Sequence, residues 1–268
     1  MAYVLSDFEI VETLAKGSFG KVCRAKRKKD DFALKITANG AKEVEKLLTR
    51  TKFPFIVDHF AIFEEASRAY TLVAFAAKGD LFASLPLSLP LALFYAAQTT
   101  LALEFLESLA IVYRSLKPEH ALLDSERNLQ LCDFGLAKIV DDKTFTLCGT
   151  PDYVAPEVLA ATGYAHSVDW WALGVFVYEI LEGQPPFAHQ KTPVAIYEAI
   201  LAFDSKTLPK KWTKEARSFM VQALNSDRSK RLGCRNAARA HPWFRHVDWD
   251  ALFHKQCPAP SSPKNNAS

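Results

Sequence analysis

Apolar and polar positions alternate with a short period at the start of the chain and with a helical period after it. Residues 8 to 14 and 20 to 36 read as strands around a glycine turn, and Phe32-Ala33-Leu34-Lys35-Ile36 is an apolar strand carrying one lysine. Ala41 to Arg50 has helical spacing, and further short strands are predicted around Ile56 to Phe63 and Tyr70 to Phe75. Helical patterns then dominate, over 90–109, 167–182, 193–202 and 213–224. Strands followed by helices predict an α+β, bilobal protein, with a small β-rich lobe over 1–76 and a larger helical lobe over 77–256. Residues 257–268 are polar and proline-rich, and are expected to be a disordered tail.

Composition changes this picture little. Of 268 residues, 49% are hydrophobic and 24% charged, the balance of a soluble globular protein. A net charge of +3 gives no reason to expect nucleic acid or an anionic membrane surface as a partner. The 23 positions from Leu81 to Leu103 carry no charge and are long enough for a membrane span. Pro86 and Pro90 break the first half and Gln98, Thr99 and Thr100 sit in the second, so a buried helix preceded by a loop is expected instead.

The five cysteines, Cys23, Cys132, Cys148, Cys234 and Cys257, are widely spaced and odd in number, which points to a reducing, cytoplasmic setting. The first residues carry no basic, apolar signal pattern, so the sequon Asn266-Ala267-Ser268 is expected to be idle.

Three clusters carry candidate chemistry. Ala15-Lys16-Gly17-Ser18-Phe19-Gly20-Lys21-Val22 lies between two strands, where glycines commonly serve backbone geometry alone. Lys35 follows on an apolar strand, where an ammonium is costly unless it meets phosphate or carboxylate. The second cluster is Tyr113-Arg114-Ser115-Leu116-Lys117-Pro118-Glu119-His120 with Cys132-Asp133-Phe134-Gly135, and the third is Gly149-Thr150-Pro151-Asp152-Tyr153-Val154-Ala155-Pro156-Glu157. In this order they resemble the signature set of protein kinases. Phe53-Pro54-Phe55, Phe94-Tyr95-Ala96-Ala97-Gln98, Thr146-Leu147-Cys148-Gly149-Thr150-Pro151 and Val168-Asp169-Trp170-Trp171-Ala172-Leu173-Gly174 are similar to the AGC group, and most similar to cyclic-AMP-dependent protein kinase catalytic subunits. The resemblance runs to about Trp249.

The resemblance implies a bilobal kinase fold that binds ATP with magnesium and phosphorylates serine or threonine in basic peptides. Gly17 and Gly20 match the loop over the phosphates, Lys35 the residue that holds them, and Asp133 the metal ligand. Val22, Ala33 and Leu122 match the adenine site, with Val73 behind it; simple core packing explains these four equally well. Lys117 matches the residue that contacts the transferred phosphate. Thr146 matches the activation-loop phosphorylation site and Arg114 its partner. Asp80, Glu119 and Glu179 match acidic positions that receive substrate arginines, although Glu119 and Glu179 read equally as solvated surface carboxylates. Leu147, Thr150 and Val154 lie on the implied substrate side. Glu157 with Arg231 resembles a structural ion pair, and Asp169 resembles the anchor of the catalytic loop.

Several positions depart from the family. Ser115 stands where the family has the aspartate that accepts the substrate proton, and His120 where it has the asparagine that holds a second magnesium. Imidazole at that point is expected to weaken magnesium and to favour manganese or zinc; local packing of His120 is the competing expectation. Ala15 replaces the first loop glycine. Counting back from Phe53 puts Val44 at the place of the glutamate that pairs with the strand lysine, with Glu43 and Glu45 on either side; the segment between Lys35 and Phe53 is shorter than in the most similar kinases, so either glutamate is expected to reach Lys35. The leucines of 85–91 predict either an exposed partner surface or burial against the large lobe.

By the same comparison the small-lobe groove lacks a wrapping tail and is expected to be empty or filled by another protein. A regulatory subunit is a further expected partner, because Phe145 and Tyr197 keep aromatic character where one docks in relatives. Loss of the base favours a pseudokinase or strongly impaired phosphotransferase. The alternative is an active kinase relying on Lys35, Lys117 and Asp133.

Overall fold

A computed structural model describes residues 3–17, 20–38, 40–233 and 238–261. Ser18 and Phe19 of the glycine turn, Cys234, and the tail from 262 with its sequon lie outside these described residues.

The small lobe is a five-stranded antiparallel sheet in the order β1 (Glu9–Gly17), β2 (Gly20–Arg27), β3 (Asp30–Thr37), β5 (Arg68–Ala74) and β4 (His59–Glu65), with the short helix α1 (Glu43–Leu48) between β3 and β4. Register assigns the faces. Leu34 stands opposite Cys23 and Leu72, whereas Lys35 stands opposite Val22 and Thr71. Side chains alternate along a strand, so Leu34 and Ile36 join Cys23, Ala25, Tyr70 and Leu72 in the core. Ala33 and Lys35 are thereby turned to the opposite face. At Gly20, with φ +138°, a Cβ would lie 2.0 Å from the Ile36 carbonyl oxygen, so only glycine lets the hairpin close this tightly on β3.

The large lobe packs around α2 (Leu89–Ser108) and α4 (Ser167–Glu182). α2 is long and apolar enough to cross a membrane, yet 72% of that apolar window is buried within the protein. Its polar residues are satisfied locally: Gln98 donates to Asn128 Oδ1 at 2.9 Å and accepts from Leu129 N at 2.8 Å, and the Thr99 and Thr100 hydroxyls donate to carbonyls one turn back. In the leucine segment before α2, Leu87 and Leu91 are buried, Leu85 packs on the same core, and Leu87 N donates to Ile180 O at 2.7 Å. Of the two expectations for these leucines, burial holds.

The short helix α3 (Pro156–Leu159) and the helices α5 (Pro193–Leu201), α6 (Lys214–Ala223) and α7 (Trp249–Phe253) complete the lobe. The Arg231 guanidinium grips Glu157 through two bonds of 2.6 and 2.8 Å, both side chains buried. Part of the tail expected to be disordered is placed, because Cys257 and Ala259 pack against the large-lobe core.

Two small ribbons position the catalytic segments. β6 (Ile111–Val112) pairs with β9 (Lys138–Ile139), and β7 (Ala121–Leu123) pairs with β8 (Leu129–Leu131). Residues 113–120 and 132–137 are therefore pinned at both ends and face each other.

Candidate active site

Burial of the Lys35 ammonium is offset by two carboxylates. Its Nζ lies 3.0 Å from Glu45 Oε1 and 3.2 Å from Asp133 Oδ1. Burial works against the charge, but Glu45 and Asp133 outweigh it and hold the lysine above its ordinary pKa. The second Glu45 oxygen accepts from Lys42 N at 3.1 Å at the start of α1, so one buried carboxylate caps the helix and pairs with the strand.

Of the two glutamates left open, Glu45 is the partner, one residue beyond the register counted from Phe53. Val44 is 2% exposed and packs in the core, while Glu45, one residue on, turns to Lys35 and Glu43 reaches Lys46. The ungapped count fails because α1 ends at Leu48, and the residues joining it to Phe53 are not helical. The signal that would have found Glu45 is its place three residues after the helix cap.

The catalytic loop hangs from Asp169. Its two carboxylate oxygens accept from Tyr113 N and Arg114 N, each at 2.8 Å, from a fully buried position that pushes its pKa up to about 6. Held in this way, the loop turns Ser115, Lys117 and His120 into one cavity of about 330 Å³, which Gly17, Asp133 and Thr150 also line. Ser115 is 7% exposed and its hydroxyl finds no hydrogen-bond partner among the described residues. Lys117 Nζ lies 3.5 Å from Glu119.

His120 is bonded locally and also faces Asp133. Its Nδ1 is 2.6 Å from the Ser115 carbonyl oxygen, and its Nε2 is 3.6 Å from Asp133 Oδ2. Burial lowers its pKa, with Asp133 opposing. Asp133 has φ +49° and also accepts from Gly135 N at 3.2 Å. Lys35 and His120 together outweigh burial and hold its carboxyl below the ordinary range. Among the described residues no group of three or more His, Cys, Asp or Glu side chains forms a cation cage. Asp133 offers the hard oxygen that magnesium takes, whereas His120 offers nitrogen.

The other expected residues are distributed around this centre. Val22, Ala33 and Val73 lie together across β2, β3 and β5, with Ala33 opposite Val73, and Leu122 is bridged to Asp80. Glu119 is exposed. Glu179 is not a solvated surface carboxylate: it is 5% exposed and accepts from the Tyr153 hydroxyl, and burial raises its pKa. Thr146 and Leu147 are exposed, while Val154 is buried in the cavity wall.

Arg114 donates to Leu136 O at 2.7 Å and to the Tyr164 hydroxyl at 3.1 Å, and that hydroxyl donates to Thr146 O. Two contacts were missed by sequence reasoning. The buried His59 ring stands edge-on to Phe134 with centroids 5.6 Å apart, and Tyr164 links Arg114 to Thr146. Both depend on distant segments, and no local pattern marks them.

The protein kinase domain family matches residues 8–244. A cAMP-dependent protein kinase catalytic subunit of Arthrobotrys oligospora is 41% identical over 281 aligned positions, covering 97% of this chain and 54% of the relative. A catalytic subunit-like protein of Caenorhabditis elegans is 38% identical, with 98% and 70% covered, and cAMP-dependent protein kinase type 3 of Saccharomyces cerevisiae is 39% identical, with 97% and 70% covered. The chain therefore spans about half to seven-tenths of the length of these relatives. With the bilobal fold and the lysine–glutamate–aspartate centre in place, the chain belongs to the protein kinase domain family, as an AGC-like member related to cAMP-dependent protein kinase catalytic subunits.

Proposed function

We propose that this domain binds a nucleoside triphosphate in the cleft between its lobes and is strongly impaired as a phosphotransferase, so that it acts mainly as a pseudokinase. A bound nucleoside triphosphate with its divalent cation supplies the phosphoryl group and neutralises its charge. Lys35, fixed by Glu45, is placed to hold phosphate oxygens and reaches Asp133, which lines the cavity together with Lys117.

The observation that carries the impaired reading is Ser115. Its hydroxyl stands where the family has its base, is buried without a partner among the described residues, and has no basicity at neutral pH with which to take a proton from a substrate alcohol. Loss of a general base removes roughly 10²- to 10⁴-fold of rate, and positioning by Lys35 and Lys117 survives it.

A second reading, an active serine/threonine kinase for basic peptides, is favoured by one feature. The Lys35–Glu45 pair is formed although the segment between Lys35 and Phe53 is short. Exposed Glu119 and half-buried Asp80 support a basic peptide as ligand on either reading. A cytoplasmic setting and a regulatory subunit as partner belong to the same proposal, supported by the spaced cysteines and by exposed Phe145.

Phosphate transfer from ATP to an arginine-rich serine peptide, run beside Ser115→Asp, tests it. A rise of roughly 10²-fold or more in the variant is expected. Equal, substantial rates in both proteins would refute the impaired reading.

A further inference from the structure

His120 carries two separate polar contacts, and together they fix what its ring can do. The Ser115 carbonyl oxygen, 2.6 Å from Nδ1, can only accept, so in the neutral ring the proton resides on Nδ1. Nε2 is left with a free lone pair. Facing it at 3.6 Å is Asp133 Oδ2, an acceptor. The other oxygen of that carboxylate is already engaged, by Lys35 Nζ at 3.2 Å and Gly135 N at 3.2 Å. Two lone pairs thus confront each other across a gap longer than a hydrogen bond.

That gap has the size of a shared cation. Nitrogen and oxygen ligands sit about 2.0–2.2 Å from a transition-metal ion, which separates neighbouring donors by roughly 3.0–3.6 Å. A ring whose far N–H is held by a backbone carbonyl is also the arrangement that orients metal-binding histidines. Magnesium takes oxygen donors and gives up water reluctantly, whereas imidazole suits manganese and zinc.

From this we infer that His120 Nε2 and Asp133 Oδ2 form a nitrogen–oxygen ligand pair for a manganese- or zinc-class divalent cation, which is shared with the phosphates of the bound nucleotide. The inference rests on the nucleotide-binding reading above, and deepens it by naming the cation class and the ligand atoms. Selectivity for the metal follows from one side chain, and a histidine-to-asparagine change returns the pair to oxygen donors alone.

Pulsed electron paramagnetic resonance of the whole chain reads the ligand directly, with Mn2+ alone and with Mn2+ plus a non-hydrolysable ATP analogue. A ¹⁴N coupling that changes on ¹⁵N-histidine labelling and vanishes in His120→Asn is expected. In parallel, thermal shifts with the analogue should show apparent affinity at least tenfold better with Mn2+ than with Mg2+, a gap that closes in His120→Asn. Nucleotide binding that is equal with both metals and shows no histidine coupling overturns the metal inference and leaves the nucleotide reading standing. No shift with the analogue under any metal, or with a chelator, overturns the nucleotide reading. In that case histidine coupling with Mn2+ alone would keep the ligand pair, and its absence would remove that too.

Discussion

Glu45 Oε1 lies 3.0 Å from Lys35 Nζ, and Glu43, two residues earlier, spends its carboxylate on Lys46 at the surface. The two glutamates therefore separate cleanly by mutation. Glu45→Gln removes a charge-assisted bond from a buried side chain and should lower the unfolding free energy by about 1.5–3 kcal/mol. Nucleotide affinity should fall with it. Glu43→Gln should leave both unchanged, as read by denaturant unfolding and by ligand-induced thermal shift.

Ser115→Ala should not destabilise the domain. The serine hydroxyl is buried without a partner among the described residues, so removing it deletes a desolvated polar atom and leaves only a very small cavity. A gain of about 1 kcal/mol is expected in equilibrium unfolding. A clear loss would mean that the hydroxyl is satisfied in solution.

Glu157→Ala should behave in the opposite way. It strands the Arg231 guanidinium, whose side chain is 1% exposed, and the cost is expected at about 3–5 kcal/mol. A lower denaturant midpoint with an unchanged slope is the corresponding observation.

His59 predicts a pH dependence. Burial is the main cause that lowers its pKa below the ordinary 6.5, and Lys35 adds to it, while the Val57 carbonyl, Glu45 and Asp58 oppose. The unfolded chain takes up this proton near pH 6.5 and the folded chain does so only at lower pH. The stability that His59 contributes is therefore present above 6.5 and lost as pH falls below it, at up to about 1.4 kcal/mol per pH unit. His59→Leu should flatten that part of the profile relative to the parent, measured by denaturant unfolding between pH 7.5 and 5.5.

Much of this architecture is legible in the sequence because it is periodic. The helix predicted over 167–182 coincides with Ser167–Glu182, and the lysine on the apolar strand does meet carboxylates. What escaped depends on rotation and on distance. One residue of helix turns a side chain by about 100°, so an ungapped count placed Val44 where Glu45 belongs. Buried Glu179 accepts from Tyr153, 26 positions away in the chain, and local composition carries no trace of such a partner. The leucines at 85–91 look the same in sequence whether covered or bare, and only the carbonyl of Ile180 on α4 decides.

Tyr164 is 2% exposed, and its hydroxyl receives from Arg114 and donates to the Thr146 carbonyl. A neutral phenol thus spans the gap between the catalytic loop and the segment that carries Thr146. Fastened in this manner, the segment is joined to Arg114 through the backbone carbonyl of Thr146, a link that leaves the threonine side chain free of it.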